Sequence, residues 1–368
     1  MSTTLTVNYP VNGNSSGTIN AFIPQLLAMG PGPLPYQLTA KVYADALYFL
    51  GQSDGNVNVY DGYKLVTGDA TAFQYAQLLA GGTHPDKMLG VQPACGGYLG
   101  QVLTGSTSGN QASTVNVIVP GDMEHSNGMY NWTVLSPDTT AIVRDAPNCN
   151  AYVDNRDPVA FSTLYLLPLA SPASPTPIAS PGSGIALLGV DKPATTLFTF
   201  DTATGYLNTN SLTGSPGPSD PYTVSGTPAD MLVANGHIYM MTSAGYLYGY
   251  SNIVAAPTQI GPNLGGPPSA MVASPNGNFV FVLVGSTLSY IDNSGAIPSS
   301  VAAQVTPLGG VPTAMAVTAD NTTLYLVGNG HLFRSTITNL KATGFVGPAA
   351  PAAILGIPAT TISIAISP

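Results

Sequence analysis

Short apolar runs alternate along this chain with turns built from Pro, Gly, Asn, Asp and Ser, and the arrangement recurs. Ala270 to Val284 reads Ala-Met-Val-Ala-Ser-Pro-Asn-Gly-Asn-Phe-Val-Phe-Val-Leu-Val, and Pro312 to Val327 reads Pro-Thr-Ala-Met-Ala-Val-Thr-Ala-Asp-Asn-Thr-Thr-Leu-Tyr-Leu-Val. Pro177 to Val190 carries a looser copy, and Pro358 to Pro368 repeats the opening of the phrase and stops. Each copy predicts a strand of small residues, a tight turn, and an aromatic or β-branched strand. Asn-Gly between two apolar runs marks a hairpin. A third strand follows, as in Thr287 to Asp292 or Gly245 to Tyr250. A unit of roughly forty to fifty residues built from short strands points to radial repetition.

The fold class expected is therefore all-β: a single β-propeller over residues 1–368, of seven or eight blades. The clearest copies begin near Pro228, Pro267, Pro312 and Pro358. Approximate blade limits are 36–84, 85–127, 128–172, 173–226, 227–266, 267–310 and 311–357, with a composite blade of 358–368 plus 1–35. Residues 171–183 are read as an inter-blade loop running into an inner strand. Residues 3–10 and 17–23 look like second and third strands without a first. Pairing the C-terminal strand with these N-terminal strands would close the ring and hide edges that invite aggregation.

These phrases resemble the YVTN-type repeats of bacterial and archaeal β-propellers, a family related to the lactonase-like propellers. The resemblance rests on the order Pro, small apolar strand, Ser-Pro-Asn-Gly, aromatic strand, and it covers about half the chain well. It implies the fold and says little about activity, because one fold hosts many functions. Enzymes on lactonase-like propellers place acidic, Asn and His side chains at the central channel, often with a divalent metal. This chain offers too few such residues at equivalent positions for any to be carried across, so no catalytic residue, metal ligand or cofactor is assigned.

Composition narrows the function classes. Charged residues make up 7% of the chain, with 17 acids against 8 bases and a net charge of −9, far below the roughly 25% typical of soluble domains. Three arginines and five lysines cannot track a phosphate backbone, which excludes nucleic acid as a partner. With 41 Gly and 33 Pro, the chain favours turns over helix. No apolar run approaches the ~20 residues of a membrane-spanning helix. No secretory signal is visible at Met1 to Thr6. The two cysteines, Cys95 and Cys149, lie in neighbouring repeats; two buried free thiols are expected, with a disulfide between them as the alternative.

Several local patterns invite chemical readings. Gly13-Asn14-Ser15-Ser16-Gly17 has the spacing of a nucleophile elbow, but that elbow needs a strand-to-helix turn, and here a strand turn is expected. Asp54 to Asn58 begins like a calcium loop, yet Val59 and Leu65 stand where such a loop needs Gly and Glu, so a half-exposed strand is expected. Arg144, Asp154, Arg156 and Asp157 form the densest charge cluster, read as a rim interaction loop in an insertion. The histidines His84, His125, His237 and His331 show no ligand spacing, and Asp122, Glu124 and His125 form the one acid–histidine grouping. Most strand tyrosines should pack between blades, their hydroxyls finding partners there. The Asn-x-Ser/Thr triplets at Asn14, Asn131 and Asn321 would carry glycans only on an exported protein.

A surface of hydroxyls and amides, almost free of charge, keeps its character as pH and salt change. The expected role is a non-enzymatic structural or adhesive propeller on an extracellular or virion surface, such as a spike, fibre or decoration protein. Its partners would be other structural proteins of the same assembly and a host surface or glycan. An exported cell-surface or surface-layer binding module is the first alternative, and a lactonase-like hydrolase the second. A mean hydropathy of +0.23 fits a surface partly covered by neighbours.

Overall fold

The computed structural model describes residues 5–11, 15–19, 47–61, 64–65, 71–78, 87–90, 102–105, 114–118, 129–133, 138–145, 149–156, 162–169, 175–182, 185–191, 196–222, 224–301, 303–305, 311–318, 320–328, 330–337 and 352–366. They fall in two units, Met1–Asp45 and Ala46–Pro368. In the first, Leu5–Val11 pairs antiparallel with Ser15–Ile19, with an irregularity between Asn8 and Val11. Ser15 opens the returning strand of this hairpin opposite Val11, which accounts for the Gly-x-Ser-x-Gly spacing as a hairpin feature.

In the second unit every sheet has four strands in simple meander order. The inner strands are Thr361–Ile366, Lys87–Gly90, Asp138–Asp145, Ile185–Val190, Pro228–Ala234, Ala270–Ala273 and Ala314–Val317. We number their sheets blades 1 to 7. Each inner strand lies against that of the next blade, and the last lies against the first, so the series closes. Among the described residues the second unit is an all-β propeller of seven blades.

The C-terminal strand closes the ring, as the repeat predicted, but its partner differs. Thr361–Ile366 pairs with Leu47–Gln52, followed outward by Asn56–Asp61 and Phe73–Leu78. Leu5–Val11 and Ser15–Ile19, expected to close the ring, pair with each other instead, and the expected C-terminal part of the composite blade merges with the strands Leu47–Gln52, Asn56–Asp61 and Phe73–Leu78. That merger reduces eight repeats to seven. A physical reason lies in Pro10. The second strand of a blade is hydrogen-bonded along both edges, and proline lacks the N–H that this requires. Leu47-Tyr-Phe-Leu-Gly-Gln52 contains no proline. Gln52 also bolts the seam, its Oε1 accepting from the Thr360 hydroxyl at 2.9 Å and the Thr361 hydroxyl at 3.1 Å.

Two blade limits move for related reasons. Met129–Thr133 is the outer strand of blade 2, not the start of blade 3. Thr176–Gly182 is the outer strand of blade 3, so this part of the Ser/Pro-rich stretch is a strand rather than a loop leading into an inner strand. Prolines are tolerated there because an outer strand needs only one bonded edge.

The second strands read as continuous apolar runs because both of their faces are buried. Tyr239 and Met241 pack with Val280 and Val282 of blade 6, while Ile238 and Met240 pack with Leu187 and Phe200 of blade 4. Phe281 and Leu283 turn instead toward Met315, Leu324 and Leu326 of blade 7. Tyr325 and Val327 meet Leu50, Ile364 and Ile366 across the closing seam. The core is thus a series of inter-blade seams, and Tyr239, Tyr248, Tyr250, Tyr290 and Tyr325 are buried in them, as expected.

Candidate functional site

Ligands of propellers bind along the axis, so the inner strands and the turns at their ends come first. The inner strands are dominated by small and apolar residues, as in Ala270-Met-Val-Ala273 and Ala314-Met-Ala-Val317. Lys87 and Asp138 are the first residues of theirs, Asp230 is the third of its strand, and Arg144 and Asp145 close theirs. Asp230 is half-buried, and its Oδ1 accepts the Met231 N–H at 2.8 Å. Among the described residues no three His, Cys, Asp or Glu side chains gather as a metal site would need.

Four of the eleven described acids serve their own turns. Asp54 Oδ1 accepts the Asn56 N–H at 3.0 Å, and that bond holds its carboxyl below the usual carboxylate range. Asp201 takes the Ala203 N–H at 2.8 Å and the Thr204 hydroxyl at 2.8 Å. Asp292 binds the N–H of Ser294 at 3.0 Å and its hydroxyl at 2.6 Å. Asp320 does the same for the Thr322 N–H at 3.0 Å. These are Asx turns, in which the side chain replaces a backbone acceptor. Asn56–Asp61 is a strand with Val57 and Val59 fully buried, in agreement with the strand reading of that segment.

The predicted rim loop is not a loop. Arg144 lies in the inner strand of blade 3, and Asp154 and Arg156 lie in its second strand, Asn150–Arg156. Asp154 has no solvent exposure, and the register sets Arg156 opposite Asp138 and Asp154 opposite Ala141. Asp157 lies outside the described residues. Charge density suggested a solvated loop, but Ala151-Tyr-Val-Asp154 buries every member. Cys149 forms the turn before this strand with φ of 51° and is disulfide-bonded, not a free thiol. The chain's one other cysteine is Cys95, outside the described residues. So are His84, His125, Asp122 and Glu124.

Sequence reasoning missed a polar cluster at the junction of blades 5 and 6. Asn293, fully buried, receives the Tyr239 hydroxyl on Oδ1 at 2.5 Å, with His237 Nδ1 on the same oxygen at 2.7 Å. Its Nδ2 donates to the Ala234 carbonyl at 2.9 Å and the Gly277 carbonyl at 2.8 Å. Those two acceptors fix the amide orientation, so Oδ1 faces His237 and that ring must carry its proton on Nδ1. Asn235, held at φ 50°, donates from Nδ2 to the Asn293 carbonyl at 3.0 Å. The next junction continues the pattern, with the Asn276 N–H donating to Asn321 Oδ1 at 2.8 Å. Gly277 is required here, because a Cβ would come within 2.8 Å of the Asn235 nitrogen. Every donor and acceptor of the Asn293 amide is matched internally, so the cluster is a bolt between blades. His331, exposed beside Phe333, takes no part.

No family model matches the sequence, and no curated protein matches it. Solved structures do. Two crystal structures, each described as a "putative 6-phosphogluconolactonase", superpose on the chain. The protein from Bacteroides uniformis gives a TM-score of 0.61 at 10% identity, covering 88% of this chain and 99% of its own. The protein from Bacteroides fragilis gives 0.60 at 9% identity, with 90% and 99% covered. The chain shares the β-propeller fold of these two structures. At such identity the likeness establishes architecture and leaves the site to be argued from residues.

The seams of the propeller carry one pH signature. Burial pushes the hydroxyls of Tyr222, Tyr239, Tyr250 and Tyr290 well above the usual phenol range. A folded-state pKa raised over the unfolded one contributes stability that is complete below about pH 10 and lost as pH climbs past it. Melting temperature should therefore hold steady through neutral pH and fall above about pH 10, as followed by circular dichroism. A Tyr290→Phe variant should soften that fall.

Proposed function

We propose that the chain is a non-enzymatic structural or adhesive propeller of an extracellular surface, with a virion spike, fibre or decoration protein as its setting, and that its repeats are of the YVTN type. The supporting observation is the use made of its acids. Asp54, Asp201, Asp292 and Asp320 lie on turns of different blades and are engaged with their own backbone, which rigidifies turns of a chain with only 7% charged residues. A surface so sparsely charged presents protein contacts that change little with salt or pH. Its partners would be other proteins of the same assembly and a host surface or glycan. The test is quantitative mass spectrometry of purified particles. Stoichiometric presence with cross-links to other structural chains supports the reading; absence from particles, with the protein free in cells, overturns it.

A second reading, hydrolysis of a small lactone or ester, is favoured by the two neighbouring structures. Lys87, Asp138 and Asp230 lie within the first three residues of their inner strands, which puts charged groups at one end of the inner wall. Lactone turnover that rises with an added divalent cation and is lost in Asp230→Asn would establish this reading. The same protein without turnover would leave the structural one.

A further inference from the structure

The outer strands of a propeller are its open edges, and proteins guard such edges with proline, bulges or brevity. Six blades do so. The outer strand of blade 4, Pro216–Pro221, contains three prolines and a register shift. That of blade 3, Thr176–Gly182, has Pro177, Pro181 and two shifts. Blades 5 and 6 end in strands described as only two and three residues, Thr258–Gln259 and Ala303–Val305. Blades 1 and 7 end in Phe73–Leu78 and Ala352–Gly356, each broken by a bulge against its neighbour.

Blade 2 carries none of these devices. Met129-Tyr-Asn-Trp-Thr133 pairs with Thr114–Ile118 in unbroken register, without proline, charge or bulge, and among the described residues no strand lies beyond it in its sheet. We propose that this edge is a self-association site, where a second copy of the chain adds its own Met129–Thr133 antiparallel about a two-fold axis. The sequence of the strand is complementary to itself in that register. With Asn131 on the axis, Tyr130 stands opposite Trp132 of the partner subunit, Trp132 opposite Tyr130 of the partner subunit, and Met129 opposite Thr133 of the partner subunit. Aromatic residues directly opposed on an antiparallel pair are among the stabilising cross-strand combinations. An isologous contact of this kind closes on itself as a dimer and does not propagate. The inference is independent of whether the molecule is structural or catalytic.

Sedimentation velocity on the full chain across the micromolar range tests it, together with emission from Trp132, the only tryptophan. The unaltered chain should dimerise, and its emission should shift on dilution as the dimer separates. Asn131→Pro, which disrupts the strand at the proposed axis, should weaken association at least about tenfold. Asn131→Cys should give a disulfide-linked dimer on mild oxidation, since residues opposed across a strand pair lie about 4.5–5.5 Å apart at Cα. Thr133→Cys, set opposite methionine, should not. Should Asn131→Pro fail to fold, the cysteine pair alone decides. A chain that stays monomeric throughout, a dimer indifferent to Asn131→Pro, or equal cross-linking at both positions overturns the proposal.

Discussion

Removing Pro358–Pro368 should abolish cooperative folding, leaving a chain with no sharp thermal transition. Thr361–Ile366 supplies the whole inner strand of blade 1. Ile364, Ala365 and Ile366 are almost fully buried, and they complete the seam with Tyr325, Val327 and Leu332. Burial of each isoleucine is worth about 1.5–3 kcal/mol. Losing the strand also exposes Leu50 and leaves the inner edge of Leu47–Gln52 without its ladder. The summed loss reaches the roughly 5–15 kcal/mol that holds an ordinary domain together. Ile364→Ala is the milder probe and should cost about 2–5 kcal/mol by chemical denaturation. A truncated chain that melts like the intact one would refute closure by this strand.

The second large effect belongs to Asn293. Replacing it with alanine removes the acceptor of the Tyr239 hydroxyl and of His237, and the donor to the Ala234 and Gly277 carbonyls, all at a position without solvent. Buried polar groups left without partners cost about 1–3 kcal/mol each. The loss expected for Asn293→Ala is about 3–5 kcal/mol. Tyr239→Phe, which removes one hydroxyl and leaves the amide bonded to both carbonyls, should cost only about 1 kcal/mol. Denaturant melts of the two variants compare these values directly. Equal, small losses would mean that the cluster is decoration rather than a bolt between blades 5 and 6.

The contrast between these sites shows what the amino-acid order disclosed. Architecture was readable because Asn-Gly turns and strands buried on both faces leave a strong local trace, as at Ala270 to Val284. The closing role of the last residues was readable for the same reason. Its partner was not, since Leu5–Val11 and Leu47–Gln52 are both apolar segments of similar length, separated mainly by Pro10. The cluster Arg144, Asp154, Arg156 looked solvated because charges in close succession usually are. Burial of Asp154 depends on blade 4 packing beside blade 3, which no local pattern reports. Asn293 sits 54 to 59 positions from Tyr239, His237 and Ala234. The one hint was its place directly after the apolar strand Thr287–Asp292, and nothing there named its partners.

Closure by the final strand also governs how the molecule comes into being. While the chain is being synthesised, Leu47–Gln52 waits with one side bare through the emergence of every later blade. The ring can shut only once Thr361–Ile366 has emerged, after the strands of every other blade. Production in any host will therefore be decided by how well that waiting flank is shielded, and a permuted chain starting at Thr361 should assemble from its first residues onward.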